Sequence, residues 1–207
     1  DISSKLTNFS NANLINTSFI GANLNEAYWH NATLDNVNFS NAILSGSSFY
    51  DATFNRVNFK NLKGFNEKEG VGVMFDGNKI RRSNFDSADL RYSSFISSDL
   101  IMSTFDKSDI SSGDFRNSNL GFASLREIKG DNVNFENSFL RNASLNSATL
   151  DNPYFQNANL TDTEFNNASI ISGNFKDALL KSTSFNGADL NSSDFSKSII
   201  ENPSFKN

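Results

Sequence analysis

The chain has 207 residues, no cysteine, one histidine and a net charge of −5, with 18 Lys and Arg against 23 Asp and Glu. That composition excludes disulfides, thiolate catalysis and metal sites built from His and Cys. It also leaves the lone His30 without the third group that a Ser-His-Asp triad needs. No apolar run approaches the ~18 residues of a membrane-spanning helix.

Residues 1–7 are polar apart from Ile2 and Leu6, which are expected to fold over whatever follows. From Phe9 onward every fifth residue is large and apolar: Phe9, Leu14, Phe19, Leu24, Trp29, Leu34, Phe39, Leu44, Phe49, Phe54 and Phe59. A period of five fits neither a helix near 3.6 nor a strand of two, so it is an internal repeat. The residue two before each of these centres is small: Ala12, Ala22, Ala88, Ser93, Ser103, Thr163, Gly173. In extended backbone, residues two apart share a side. Centre and small residue therefore face inward, the residue between them faces water, and the following Asn, Ser, Asp or Gly suit a corner. Trp29 stands at a centre and is expected to be an oversized core residue.

Residues 60–74 lose the pattern and contain Gly64, Gly70 and Gly72. Phe59 to Phe85 is 26 residues, and keeping the Phe/Leu alternation splits this as four repeats plus six, or two repeats plus sixteen. A six-residue insertion is the preferred reading, with Phe65, Glu67, Lys68 and Glu69 on an exposed, candidate interaction loop. The Gly70-Val71-Gly72 stretch is not a dinucleotide fingerprint, because no strand and helix flank it. The period restarts at Phe85 and holds step to Phe205, except for Gly130. The stretch 126–132 is expected to be a bulged face with a missing core residue.

The motif, with its Ala-(Asn/Asp)-Leu triplets, resembles that of the pentapeptide-repeat family. The resemblance implies an all-β fold: a right-handed quadrilateral parallel β-helix, one solenoid domain over 1–207 with one loop insertion. It implies about ten coils, a rod roughly 45–50 Å long at ~4.8 Å per coil. A bacterial, cytoplasmic setting follows from the resemblance alone.

Function is expected to be binding without catalysis and without a cofactor, because no catalytic constellation is visible. Stacking residues twenty apart puts Phe139, Leu179 and Ile199 on one candidate interaction face, and Met102 with Phe122 in another stack beside Ile101. The leading reading is a scaffold or effector for an unidentified protein partner. The other, implied by the resemblance, is an acidic mimic of duplex DNA that binds DNA gyrase or another type II topoisomerase and modulates quinolone sensitivity. Direct binding of nucleic acid or membrane is not expected. The best acidic line, Asp89, Asp109, Lys129, Thr149, Ser169, Asp189, is interrupted, which weighs against mimicry. An ice-binding face of regular Thr is absent. Nothing caps the coil after Phe205, so either more chain follows or a homodimer forms through the C-terminal end, with Ile199 and Phe205 in contact.

Overall fold

The computed structural model describes residues 7–206, so Ile2 and Leu6 lie outside the described residues. Each block of five forms one side of a four-sided coil. Parallel bridges join Asn8 to Tyr28, Ser18 to Asn38 and Asn23 to Ile43, and a strand pair joins Asn13 to Thr33, marking the four faces. We number the faces by their first centres: Phe9, Leu14, Phe19 and Leu24. Every backbone group on a face can then bond to the coil one turn away, as Phe105 N does to Ser124 O at 2.7 Å and Thr104 N to Ser83 O at 3.0 Å. Among the described residues there is no helix, and the chain makes about nine turns.

Where three residues in a row pair, the segments are regular strands. On the second face these are β1 (Asn13–Ile15), β2 (Thr33–Asp35) and β3 (Thr53–Asn55). On the fourth face lie β4 (Thr149–Asp151) and β5 (Ser169–Ile171). β6 (Leu179–Lys181) and β7 (Ile199–Glu201) return to the second face. All pairs are parallel and in register.

The interior is a set of side-chain stacks. On the first face Phe9, Trp29, Phe49, Phe75, Phe95, Phe115, Phe135, Phe155, Phe175 and Phe195 pile ring on ring, with centroids 4.2 to 5.4 Å apart. That spacing is the strand spacing and suits offset aromatic stacking. Trp29 is fully buried within this stack. The third face carries a second aromatic stack, broken at Leu125 and Leu145. Rings of the two stacks meet edge to face, as Phe85 and Phe95 do at 5.6 Å and 89°. Leu and Ile supply most centres of the other two faces. The small inward residues lie beside the centres, and their hydroxyls donate to carbonyls one coil below, as Thr163 does to Leu140 O and Thr183 to Leu160 O, both 2.8 Å, or within their own turn, as Ser108 does to Phe105 O at 2.6 Å. This satisfies a buried polar group at no cost in space.

The corners demand a residue with positive φ. Asn11 (φ 62) sits inside a turn closed by Ala12 N to Phe9 O at 3.0 Å, and Asn, Ser and Asp fill most equivalent positions. Short polar side chains tolerate this left-handed region.

Two irregular stretches differ from expectation. The offset between paired residues changes from 20 at Ile43–Lys63 to 26 at Ser48–Met74, a six-residue insertion between them. Residues 60–64 stay in the ladder, and the period resumes at Phe75 and Ile80 rather than at Phe85. Gly64 is therefore a centre without a side chain. Residues 126–132 do not bulge: Asp109–Lys129 and Lys129–Thr149 keep the 20-residue register through Gly130.

Gly64 and Gly130 stand in the same fourth-face stack, and the same device fills both gaps. The inward positions flanking Gly64 carry Leu62 and Val73, and those flanking Gly130 carry Ile128 and Val133, all buried. A Cβ at Gly130 would meet Leu150 Cδ2 at 2.7 Å and Val133 Cγ1 at 3.1 Å. Volume missing from a centre is restored from its small neighbours, as a close-packed interior requires. Gly130→Leu should thus destabilise by roughly 1–3 kcal/mol, and adding Ile128→Ala with Val133→Ala should recover part of that loss. Phe165→Ala, a pure deletion from a stack, should cost roughly 3–5 kcal/mol. Urea denaturation checks both; an additive triple variant would reject the exchange of volume.

Candidate interaction surfaces

The six inserted residues form a hairpin. Asn66 N donates to Val71 O at 3.1 Å, Gly70 N to Asn66 O at 2.8 Å, and Lys68 N to Asn66 Oδ1 at 3.0 Å. The hairpin is fastened to the coil above it. The Phe65 ring stacks on Tyr92 with centroids 5.0 Å apart, and the Arg91 guanidinium lies 4.5 Å from the Phe65 centroid. Arg91 is gripped in turn by Asp89 at 2.8 Å and touches Glu67 at 3.5 Å. The bidentate Asp89 contact pushes the Arg91 pKa still higher, so this cation is permanent. Of the four loop residues read from sequence, Phe65 and Glu67 thus hold the hairpin down, while Lys68 and Glu69 are exposed at its turn.

Among the described residues the second face carries six exposed large apolar side chains, Ile15, Met102, Phe122, Phe139, Ile199 and Ile200, and the first face carries four, Tyr28, Tyr50, Met74 and Tyr154. The outward ladder of the second face runs Lys79, Asp99, Asn119, Phe139, Asn159, Leu179, Ile199. Phe139 is 53% exposed and Ile199 57%, while Leu179 is half-buried. Met102 and Phe122, separate from this ladder on sequence grounds, lie at the corner where the same face ends, at 46% and 58% exposed. Both hold positive φ, 59° each, where nearly all other corners carry Asn, Ser, Asp, Gly or a charged residue. At the last described coil Ile200 and Phe205 are 45% and 55% exposed, so Ile199 and Phe205 lie on adjoining apolar surface.

Among the described residues about half of the carboxylates have a cationic side chain within 4.0 Å. Arg126 pairs with Asp106 at 2.7 Å, Arg116 with Asp114 at 2.7 Å, and Lys129 lies 3.8 Å from both Asp109 and Asp131. Burial pushes the Asp106 carboxyl up, but hydrogen bonds from Arg126 and Ser124 outweigh it and hold the group below its ordinary value. His30 is half-buried and 3.1 Å from Ser48 Oγ through Nε2, between Tyr28 and Tyr50. Among the described residues no group of three or more His, Cys, Asp or Glu could hold a metal ion. No described helix is long and apolar enough to cross a membrane.

A four-sided parallel solenoid of five-residue sides defines a repeat-built class of protein. The comparisons make the assignment specific. The family model for pentapeptide repeats (9 copies) matches residues 5–53, and that for pentapeptide repeats (8 copies) matches 83–121, 131–167, 158–196 and 174–202. The chain belongs to the pentapeptide repeat family. Among solved structures it is similar to HetL, a pentapeptide repeat protein involved in heterocyst differentiation regulation from the cyanobacterium Nostoc sp. strain PCC 7120. The identity is 19%, covering 93% of this chain and 86% of that one, with a TM-score of 0.39. Trypsin-treated QnrB1, a plasmid-mediated fluoroquinolone resistance protein, shows 16% identity over 95% of this chain and 91% of that one, with a TM-score of 0.36. A pentapeptide repeat protein from the Arabidopsis thaliana thylakoid lumen shows 20% identity over 56% of this chain and 66% of that one, with a TM-score of 0.24. At that divergence the likeness carries no functional argument. No curated protein matches the chain.

Deleting residues 66–71 should leave the circular dichroism spectrum and Tm nearly unchanged, because the coils on either side pair without the hairpin. The Asp106 pair gives a pH test. Its folded pKa is depressed, so its stabilisation exists above the unfolded value of ~3.9 and is lost as pH falls through the folded value. Asp106→Asn should therefore lower stability by ~0.5–1 kcal/mol at pH 7 and converge with the parent in acid. A constant difference from pH 7 to pH 2 would remove the electrostatic explanation.

Proposed function

We propose that the chain is a non-catalytic rod that docks a partner protein on its second face. One observation carries this reading: two bulky apolar residues, Met102 and Phe122, occupy exposed left-handed corners on the face that also exposes Phe139 and Ile199. Such a corner costs an ordinary L-residue roughly 1–2 kcal/mol relative to the right-handed conformation, and Asn or Gly relieves it. The strain gains nothing for the core, since both side chains point to water. A residue kept against local preference is a pointer to function. Phe139, Leu179 and Ile199 add apolar surface further along the ladder, with Asn159 between them, and apolar surface of this kind marks protein contacts.

The reading as an acidic mimic of duplex DNA is less well supported. It requires an unbroken negative stripe, and Arg81, Arg91, Arg116, Arg126 and Lys129 each sit on a carboxylate of the rod. We therefore expect gyrase supercoiling, with and without a quinolone, to be unchanged by the purified protein.

Two measurements test the docking face. Met102→Asn and Phe122→Asn should each raise stability by ~0.5–1 kcal/mol while weakening partner capture. A photoreactive benzoylphenylalanine at position 139 should cross-link a discrete protein in extracts of the source cells. The same group at Gln156, on a corner of the first face, should not. Equal labelling at both positions would sink the second-face reading.

A further inference from the structure

We infer that the second face reads its partner with a polarity: an acidic end seats in a cationic notch at Arg81 and Arg82, and apolar side chains follow along the stripe. This rests on the second face being the docking surface and adds the chemistry and direction of what docks there.

In a chain of net charge −5, the run Lys79-Ile80-Arg81-Arg82 is an unusual concentration of cations, and Arg56 lies one coil below it. Their neutralisation is incomplete. Arg81 is held by Asp99 at 2.5 Å, and Arg56 only approaches Asp35 at 3.9 Å with its side chain 68% exposed. Lys79 and Arg82 have no ion pair among the described residues. A cavity of about 470 Å³ opens at this point, walled by Arg81, Arg82, Asn55, Ile101 and Met102 and floored by Phe54. Phe54 is the only aromatic centre of the second-face stack, where the others are Leu or Ile.

The notch and the stripe are one surface, because Ile101 and Met102 belong to both. Further along, the charges of this face are internally matched: Arg141 with Asp162 at 3.6 Å and Lys181 with Glu201 at 3.3 Å. The surplus of positive charge is therefore confined to one end. Complementarity then sets both the sign and the direction of the ligand. From Lys79 to Ile199 the ladder takes six steps, ~29 Å at ~4.8 Å each, the reach of about nine extended residues. The fitting partner is a short extended segment with Asp or Glu at one end and apolar residues after it. A guanidinium pair favours a carboxylate by bidentate contact. An anionic lipid surface fits less well, because beyond the notch the matched pairs Arg141–Asp162 and Lys181–Glu201 leave no surplus positive charge along the face to hold it.

The test is selection of random twelve-residue peptides, displayed on phage, against the intact protein. Selected peptides should place acidic residues on one side of two or more apolar ones. Their affinity should fall at least tenfold with Arg82→Glu, partly recover with Arg82→Lys, and drop steeply as salt rises. Phe122→Asn should weaken the same peptides. Peptides without acidic enrichment, or ones sensitive to Phe122→Asn but indifferent to Arg82→Glu, would overturn the acidic anchor and leave the docking face standing. A library yielding nothing that Phe122→Asn disturbs would overturn both. Vesicles of phosphatidylglycerol and phosphatidylcholine should neither bind nor compete; vesicles that displace the peptides would assign the notch to lipid headgroups.

Discussion

The whole molecule depends on one constraint: on every face the backbone is hydrogen-bonded to the turn above and the turn below. That ladder fixes a cross-section of constant size, so each level must deliver nearly the same interior volume. Phe on two faces and Leu or Ile on the others, with Ala, Ser or Thr beside them, meets the requirement level after level. Gly64 and Gly130 show that the requirement belongs to the level and not to the position. Each lacks a side chain, and each is flanked by inward Leu, Ile or Val where a small residue is the rule. Ladder and interior together leave the outward and corner side chains free of the folding problem. That is why surface specialisation can be read there at all.

Much of the fold was legible in the sequence because the period is written at every level and the core stacks repeat it. The buried centres, the inward Ala and Ser, and the six-residue insertion all follow from counting. Gly64 was not legible as a centre, since its compensation is spread over Leu62 and Val73, on either side of the hairpin. The coil at Gly130 escaped for a related reason: a missing side chain suggests a bulge unless Ile128 and Val133 are weighed with it. Contacts that break the period were hidden too. Phe65, Arg91 and Tyr92 meet only because the hairpin folds back, and nothing in five-residue counting pairs them. The union of Met102 and Phe122 with Phe139 needed the assignment of corners to faces. The notch at Arg81 and Arg82 needed the ion pairs, which show which cations remain unmatched.

Backbone strain and exposed apolar side chains coincide at Met102 and Phe122, the corners of the proposed docking face. A left-handed corner is an exposed site where side-chain type affects stability. Asn at Asn11, Asn117 or Asn142 satisfies it quietly, while Met102 and Phe122 do not. The hairpin is a different kind of feature. It is fastened to the rod through Phe65, which meets Tyr92 and Arg91, with Asp89 holding Arg91 in place.

The four-sided coil also sets how such a protein can change over generations. Removing or duplicating twenty residues shifts one end along the axis and leaves every face aligned. Removing five turns everything beyond the cut by a quarter rotation, sending Phe139 and Ile199 to a different side from Met102. Inserted residues that leave the coil and return at the same corner, as at 66–71, do neither. A change of length in whole coils therefore preserves the phase between Arg81 and Arg82 and the apolar side chains of the second face, and a five-residue slip breaks it.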